Sequence, residues 1–183
     1  RFWRKYHLTK IFLLIGLTFS LIVGGYLFYI AKTTNVADLQ NALKATTIIY
    51  DKDGNQAGSL TGQKGTYVEL DAISENLQNA VVATEDRSFY KNSGINYGRF
   101  FLAILTAGRS GGGSTITQQL AKNAYLSQDQ TVERKAKEFF LALEINKKYS
   151  KKEILTMYLN NAYFGNGIWG IEDASKKYFG VSA

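Results

Sequence analysis

Three short stretches hold the residues whose types and spacing could do chemistry. In AVVATEDRSFYKNSG an apolar run delivers Glu85 and Asp86, followed by Phe89 and a turn at Ser93-Gly94. A carboxylate beside aromatics at the end of a buried helix suits a general base near neutrality. Spacing alone favours the plainer reading, two exposed acids at a helix end. In GGGSTITQQLAKN, Gly111 to Asn123, the residues Thr115, Gln118, Gln119 and Lys122 fall at i, i+3, i+4 and i+7, one stripe of a helix with no acid on it. Ser114 is placed to cap a helix starting at Thr115, and a helix N-terminus adds positive potential suited to phosphate. No Gly-Lys-Ser/Thr follows the glycines, so this is not a Walker loop, and a solvated polar face is the alternative. In RKAKEFFLALE, Arg134 and Glu138 are four apart. They form either a surface ion pair of about 0.3–0.5 kcal/mol or a second carboxylate held by a cation that could also meet phosphate. Glu144 lies six residues further on and is rotated well away from Glu138.

What is missing narrows the chemistry. There is no Cys, and the one histidine is His7, in the basic N-terminal flank. Serine–histidine triads, thiol nucleophiles, disulfide frameworks and ordinary zinc sites are thereby excluded for the rest of the chain. Acid and base work falls to carboxylates, lysines or tyrosines.

These residues need elements to hold them. Of the net charge of +7, four positive charges lie in RFWRKYHLTK, so the basicity is concentrated at the N-terminus and does not point to nucleic acid. The 21 residues from Ile11 to Ala31 carry no charge. As a helix they would span about 32 Å, enough for a hydrocarbon core of about 30 Å. The length favours an uncleaved anchor over a signal peptide, and the basic flank before it puts the N-terminus in the cytoplasm. Residues 32 to 47 read as a short helix or stalk. TTIIYDKDGNQAGSL reads as a hairpin around a DKDGN turn, and TYVEL, Thr66 to Leu70, as a further short strand. From Ala72 the pattern is helical, and Ser150 with Glu153 resembles a capping box. A mainly α domain with a small β annex follows. The chain stops at KKYFGVSA with no closing polar tail, which suggests the first part of a longer protein.

Together these stretches resemble the glycosyltransferase domain of class A penicillin-binding proteins and the single-domain peptidoglycan polymerases. ATEDRSFYKNSG resembles the family's first motif, GGSTITQQLAKN the second and RKAKE the third. ILTMYLNNAYFG and GIEDASKKYFG resemble the later ones. Asn92 stands where the first motif usually has histidine. The resemblance implies a lysozyme-like fold. It divides the chain into a cytoplasmic basic flank (1–10), a transmembrane helix (11–31), a juxtamembrane linker with β annex (32–71) and the glycosyltransferase domain (72–183).

The resemblance also implies the reaction. The substrate would be lipid II, polymerised onto a growing glycan strand with inversion and release of undecaprenyl pyrophosphate. Glu85 would be the base and Glu138 would orient the donor or help activate its pyrophosphate. No cofactor is required, although a divalent metal (Mg or Mn) assisting the pyrophosphate is compatible. Lys122 and Arg134 would face the pyrophosphate. Asp86, Phe89, Asn92, Ser114, Thr115, Gln118, Gln119 and Asn123 would complete the substrate site. Membrane lipid, the inhibitor moenomycin and cell-wall synthesis proteins are the implied partners, and nucleic acid is not. The rivals are a lytic glycan-cleaving enzyme on the same fold and an inactive membrane scaffold. SxxK at Ser88–Lys91 and SxN at Ser74–Asn76 lie inside other motifs, in the wrong order and without KTG. These 183 residues therefore carry no transpeptidase signature.

Overall fold

The structure is a computed structural model that describes residues 8–33, 36, 46–61, 65–106, 113–126 and 131–183. Most of the basic flank with His7, most of the 32–47 stalk, and Gly111 and Gly112 lie outside the described residues. The chain divides into two units, Arg1–Asn35 and Val36–Ala183.

The first unit is helix α1, Leu8–Thr33. It is the one helix among the described residues long and apolar enough to cross a membrane. The uncharged span from Ile11 to Ala31 lies wholly within it.

The second unit begins with the expected hairpin. Strands β1 (Thr46–Tyr50) and β2 (Gln56–Thr61) pair antiparallel, with a bulge between Ile49 and Tyr50. The turn closes because the Asp51 carboxylate accepts from the Asp53 and Asn55 amides, both at 2.9 Å, while Gly54 takes φ +82°. TYVEL is not a strand. The Asn160 side chain replaces a ladder partner there, accepting from Val68 N and donating to Val68 O, each at 2.8 Å. A buried amide can satisfy one residue's backbone pair but cannot propagate a ladder, so the segment turns into a 3-10 helix at Leu70–Ala72.

Helices then follow in close order. They are α2 (Glu75–Glu85), α3 (Tyr97–Leu105), α4 (Ile116–Tyr125), α5 (Val132–Lys148), α6 (Lys151–Asn161) and α7 (Ile171–Phe179). Ser74, Thr115, Thr131 and Ser150 cap α2, α4, α5 and α6, each accepting from an amide in the first turn. The capping box at Ser150 and Glu153 is present. Helix α7 carries a short apolar stripe, with Ile171, Ala174 and Tyr178 at i, i+3 and i+7. Its ends carry electrostatic signals as well, with Glu172 and Asp173 in the first turn, Lys176 and Lys177 in the last, and Gly180 left-handed after it.

Helix α6 is the centre of this unit, with every residue from Ile154 to Asn160 buried. A helix apolar on most sides must be surrounded. Helices α4, α5 and α7 pack against it, and α4 also packs against α5. Phe89, Ile116, Leu120, Leu141, Ile145, Ile154, Leu155, Met157 and Leu159 form the shared core. Gly94 lets the loop after α2 approach α5. It has φ +92°, and a Cβ there would lie 2.6 Å from Ala142 O.

Candidate active site

The segment that follows α2 is built around a buried acid. Asp86 is 3% exposed and caps the C-terminus of α2. Its Oδ1 accepts from the Ser88 amide at 3.2 Å and the Ser88 hydroxyl at 2.9 Å. Its Oδ2 accepts from Asn92 Nδ2 at 2.9 Å and from the Ile116 amide at 3.3 Å. A buried carboxylate with four donors is satisfied internally.

That arrangement revises the reading of the α4 N-terminus as a ligand site. Its first-turn amide already faces the protein's own anion, Asp86. The Gln118 amide, two residues on, is held by Thr115 Oγ1 at 3.1 Å, and Gln118 Oε1 accepts from the Thr115 amide at 3.0 Å. The capping residue is thus Thr115 and not Ser114, and the helix starts at Ile116. Thr115 also donates through its hydroxyl to Gly94 O at 2.6 Å. Thr115 and Gln118 are both buried and engaged inside the protein, so half of the polar stripe is neither solvated nor open to a ligand.

Asn92 ties the same hub to α6. While Nδ2 donates to Asp86, its Oδ1 accepts from the Gly94 amide at 3.0 Å and from Lys151 Nζ at 3.1 Å. Lys151 lies over the buried Phe89 ring, 4.7 Å from its centroid. Burial lowers the proton affinity of its ammonium, partly offset by the charge of Asp86. Asn92 therefore orients neighbours, and Phe89 is a core residue. Replacing Asn92 by alanine should cost about 1–3 kcal/mol, because it removes a donor from a buried carboxylate. Thermal unfolding of the variant tests this, and an unchanged Tm refutes the role.

The other polar residue of the stripe faces outward. Gln119 Nε2 donates to Glu85 Oε2 at 2.8 Å, and Gln119 Oε1 accepts from the Tyr158 hydroxyl at 3.1 Å. Burial, with the charge of Glu85 adding to it, pushes the Tyr158 hydroxyl up to about 12, so it remains a donor at neutral pH. The chain Tyr158–Gln119–Glu85 fixes one carboxylate oxygen and leaves Oε1 without a partner among the described residues. Glu85 lines a cavity of about 430 Å³ together with Thr84, Gln119, Tyr158, Tyr163 and Phe164.

A second acid sits on α5. Glu138 is 1% exposed. Arg134 Nη1 donates to its Oε2 at 2.7 Å and Lys135 Nζ donates to its Oε1. Lys135 also donates to Ser114 Oγ at 2.9 Å, which joins α5 to the segment before α4. This is a buried carboxylate held by a mostly buried arginine and a partly exposed lysine, not a surface pair, and its excess charge is positive. Both carboxylate oxygens of Glu138 face cations. No group of three or more His, Cys, Asp or Glu able to hold a metal occurs among the described residues.

Sequence reasoning missed Lys135 and Tyr158. Lys135 was detectable as the i−3 neighbour of Glu138. Tyr158 was not, since only packing of α6 on α4 brings it to Gln119. Lys122 and Asn123, on the second half of α4, are half-buried, and among the described residues neither forms a hydrogen bond or ion pair with the two acids.

Helix α4 thus lies between two acids, one half-free in a cavity and one locked by two cations. A family model described as Transglycosylase matches residues 53–183 of this chain. The chain belongs to the transglycosylase family. Penicillin-binding protein 2a of Streptococcus pneumoniae (strain R6) is 80% identical over 183 residues, covering 100% of this chain and 25% of that protein. Penicillin-binding protein 1A of Aquifex aeolicus is 41% identical over 176 residues, 91% of this chain and 24% of that protein. Penicillin-binding protein 1F of Bacillus subtilis is 40% identical over 172 residues, with shares of 91% and 24%. The transglycosylase described here spans about a quarter of the length of these relatives. Its fold is that of a mainly α, lysozyme-like transglycosylase domain, and at the family level it is a peptidoglycan glycosyltransferase.

Proposed function

We propose that this domain polymerises lipid II into β-1,4 glycan strands. The observation that carries the reading is Glu85, whose Oε2 is held by Gln119 while Oε1, at a cavity, has no partner among the described residues. The free oxygen takes the proton from the 4-hydroxyl of the acceptor N-acetylglucosamine. That oxygen attacks the anomeric carbon of the donor N-acetylmuramic acid, and the carbon–oxygen bond to undecaprenyl pyrophosphate breaks. The α-linked donor becomes a β linkage, so the configuration inverts.

Negative charge grows on the departing pyrophosphate. Fixed cations aimed at developing charge lower such a barrier. Arg134 and Lys135, held by Glu138, are prearranged cations of this kind, and Lys122 adds a third from α4. Glu138 keeps the first two in place, and the chain's own charges perform the neutralisation. A pyrophosphate leaves readily, so no strong general acid is needed on that side. Helix α1 anchors the domain, with the basic flank on the cytoplasmic side and the catalytic unit outside.

Incubation of the detergent-solubilised chain with labelled lipid II is the test. Polymer formation, blocked by moenomycin at the same cleft, is the expected result. Shortening of preformed glycan without synthesis would show a lytic enzyme instead, and no moenomycin binding would count against the site.

A further inference from the structure

A second hollow, of about 540 Å³, is lined by Gly65, Gly167, Ile168, Trp169, Asp173 and Lys177. None of these residues serves the reaction described above. The hollow adjoins the Glu85 cavity through one aromatic pair. Tyr163 lines that cavity, forms an isolated β-bridge with Trp169, and has its ring 4.9 Å from the Trp169 ring.

The walls are held by backbone bonds. Phe164 N donates to Ile168 O at 2.9 Å, Ile168 N to Gly165 O at 2.8 Å, and Gly167 N to the Tyr163 hydroxyl at 3.1 Å. Gly65 takes φ +146°, and a Cβ there would lie 2.2 Å from Trp169 O, so only glycine permits this closeness.

Charge supplies the chemistry. On α7, Lys176 pairs with Glu172 four residues earlier at 2.8 Å. Asp173 and Lys177 have the same spacing on the same helix but form no such pair. Asp173 Oδ2 is turned to the Thr66 amide at 3.2 Å. The hollow therefore presents an ammonium with no ion-pair partner among the described residues and a carboxylate oxygen beside an aromatic step. A ligand that answers both carries a carboxylate and an amine on a short flexible chain, joined to a ring that can lie on Tyr163 and Trp169.

We propose that this hollow binds the short peptide borne by the glycan precursor, with a peptide carboxylate at Lys177 and a peptide amine at Asp173. The peptide-bearing sugar lies across Tyr163 and Trp169 toward Glu85. This rests on the lipid II reading above.

The test compares two lipid-linked disaccharides on the full chain in detergent, one with the whole peptide and one with it cut to a single residue. The whole-peptide substrate should have a kcat/KM advantage of about fivefold, the usual reach of an exposed charge pair. Lys177→Glu should remove that advantage and leave the rate on the cut substrate unchanged. In parallel, a soluble muramyl peptide is titrated against Trp169 fluorescence in a Trp3→Phe background, where quenching is expected in wild type and not in Lys177→Glu. Glycan synthesis with no peptide preference and no quenching overturns the hollow. Quenching without any glycan synthesis supports the hollow and removes the polymerase reading.

Discussion

Glycan synthesis in a Glu85→Gln variant falls by at least about 10²–10⁴-fold, the usual contribution of a positioned general base. The glutamine has the same shape and can still present its carbonyl oxygen to Gln119 Nε2, in place of Glu85 Oε2. The Tyr158–Gln119 bond is untouched. Thermal unfolding should therefore remain close to that of the wild type while polymer on a gel disappears. What is lost is the ability of the unpartnered oxygen to take a proton, because an amide is not a base near neutral pH. Turnover close to wild type in this variant would remove Glu85 from the role.

The second large effect is expected at Arg134, where rate and stability have to be separated. Arg134→Ala should lower donor use by about 10²–10³-fold, as expected when one fixed group facing developing charge is removed. It should also destabilise the domain by up to about 3–5 kcal/mol, since Glu138 is buried and keeps only Lys135. The double variant Arg134→Ala with Glu138→Gln removes the uncompensated charge. Stability should return in it while the rate stays low. Lys122→Ala belongs to no ion pair among the described residues, so it should weaken donor use with little change in Tm. Unchanged kinetics in both Arg134→Ala and Lys122→Ala would refute the cationic clamp.

The opening glycine-rich segment shows where reading the residues in order is strong and where it fails. The stripe of Thr115, Gln118, Gln119 and Lys122 follows from helical periodicity, and the helix is there. Periodicity states which side chains share a face but not what covers that face. Asp86, thirty residues earlier, covers the first turn, so Thr115 and Gln118 serve the cap and Gln119 alone reaches Glu85. Arg134 and Glu138 show the same limit. Their spacing permits a pair, and burial decides that removing one partner is costly.

TYVEL and α7 differ in what their surroundings supply. The first has the alternation of a strand but meets a single asparagine in place of a neighbouring strand. The second has a short apolar stripe, Ile171, Ala174 and Tyr178 at i, i+3 and i+7, and is held as a helix by packing on α6 and by end charges.

By itself, the order of residues determined the apolar span and the mainly helical pattern, while the reaction class and the two candidate acids came from the family resemblance of the motifs. Each of these depends on residue type and near-neighbour spacing, which a linear chain carries in full. The tertiary structure alone decided that Asp86 and Asn92 form an internal hub. It also decided that Tyr158 supports Glu85 through Gln119. Those roles arise from contacts between residues 30 to 60 positions apart or on different helices, made when α4, α5 and α6 bury their apolar faces together. Which polar groups are left over for a substrate is fixed only after that packing is complete.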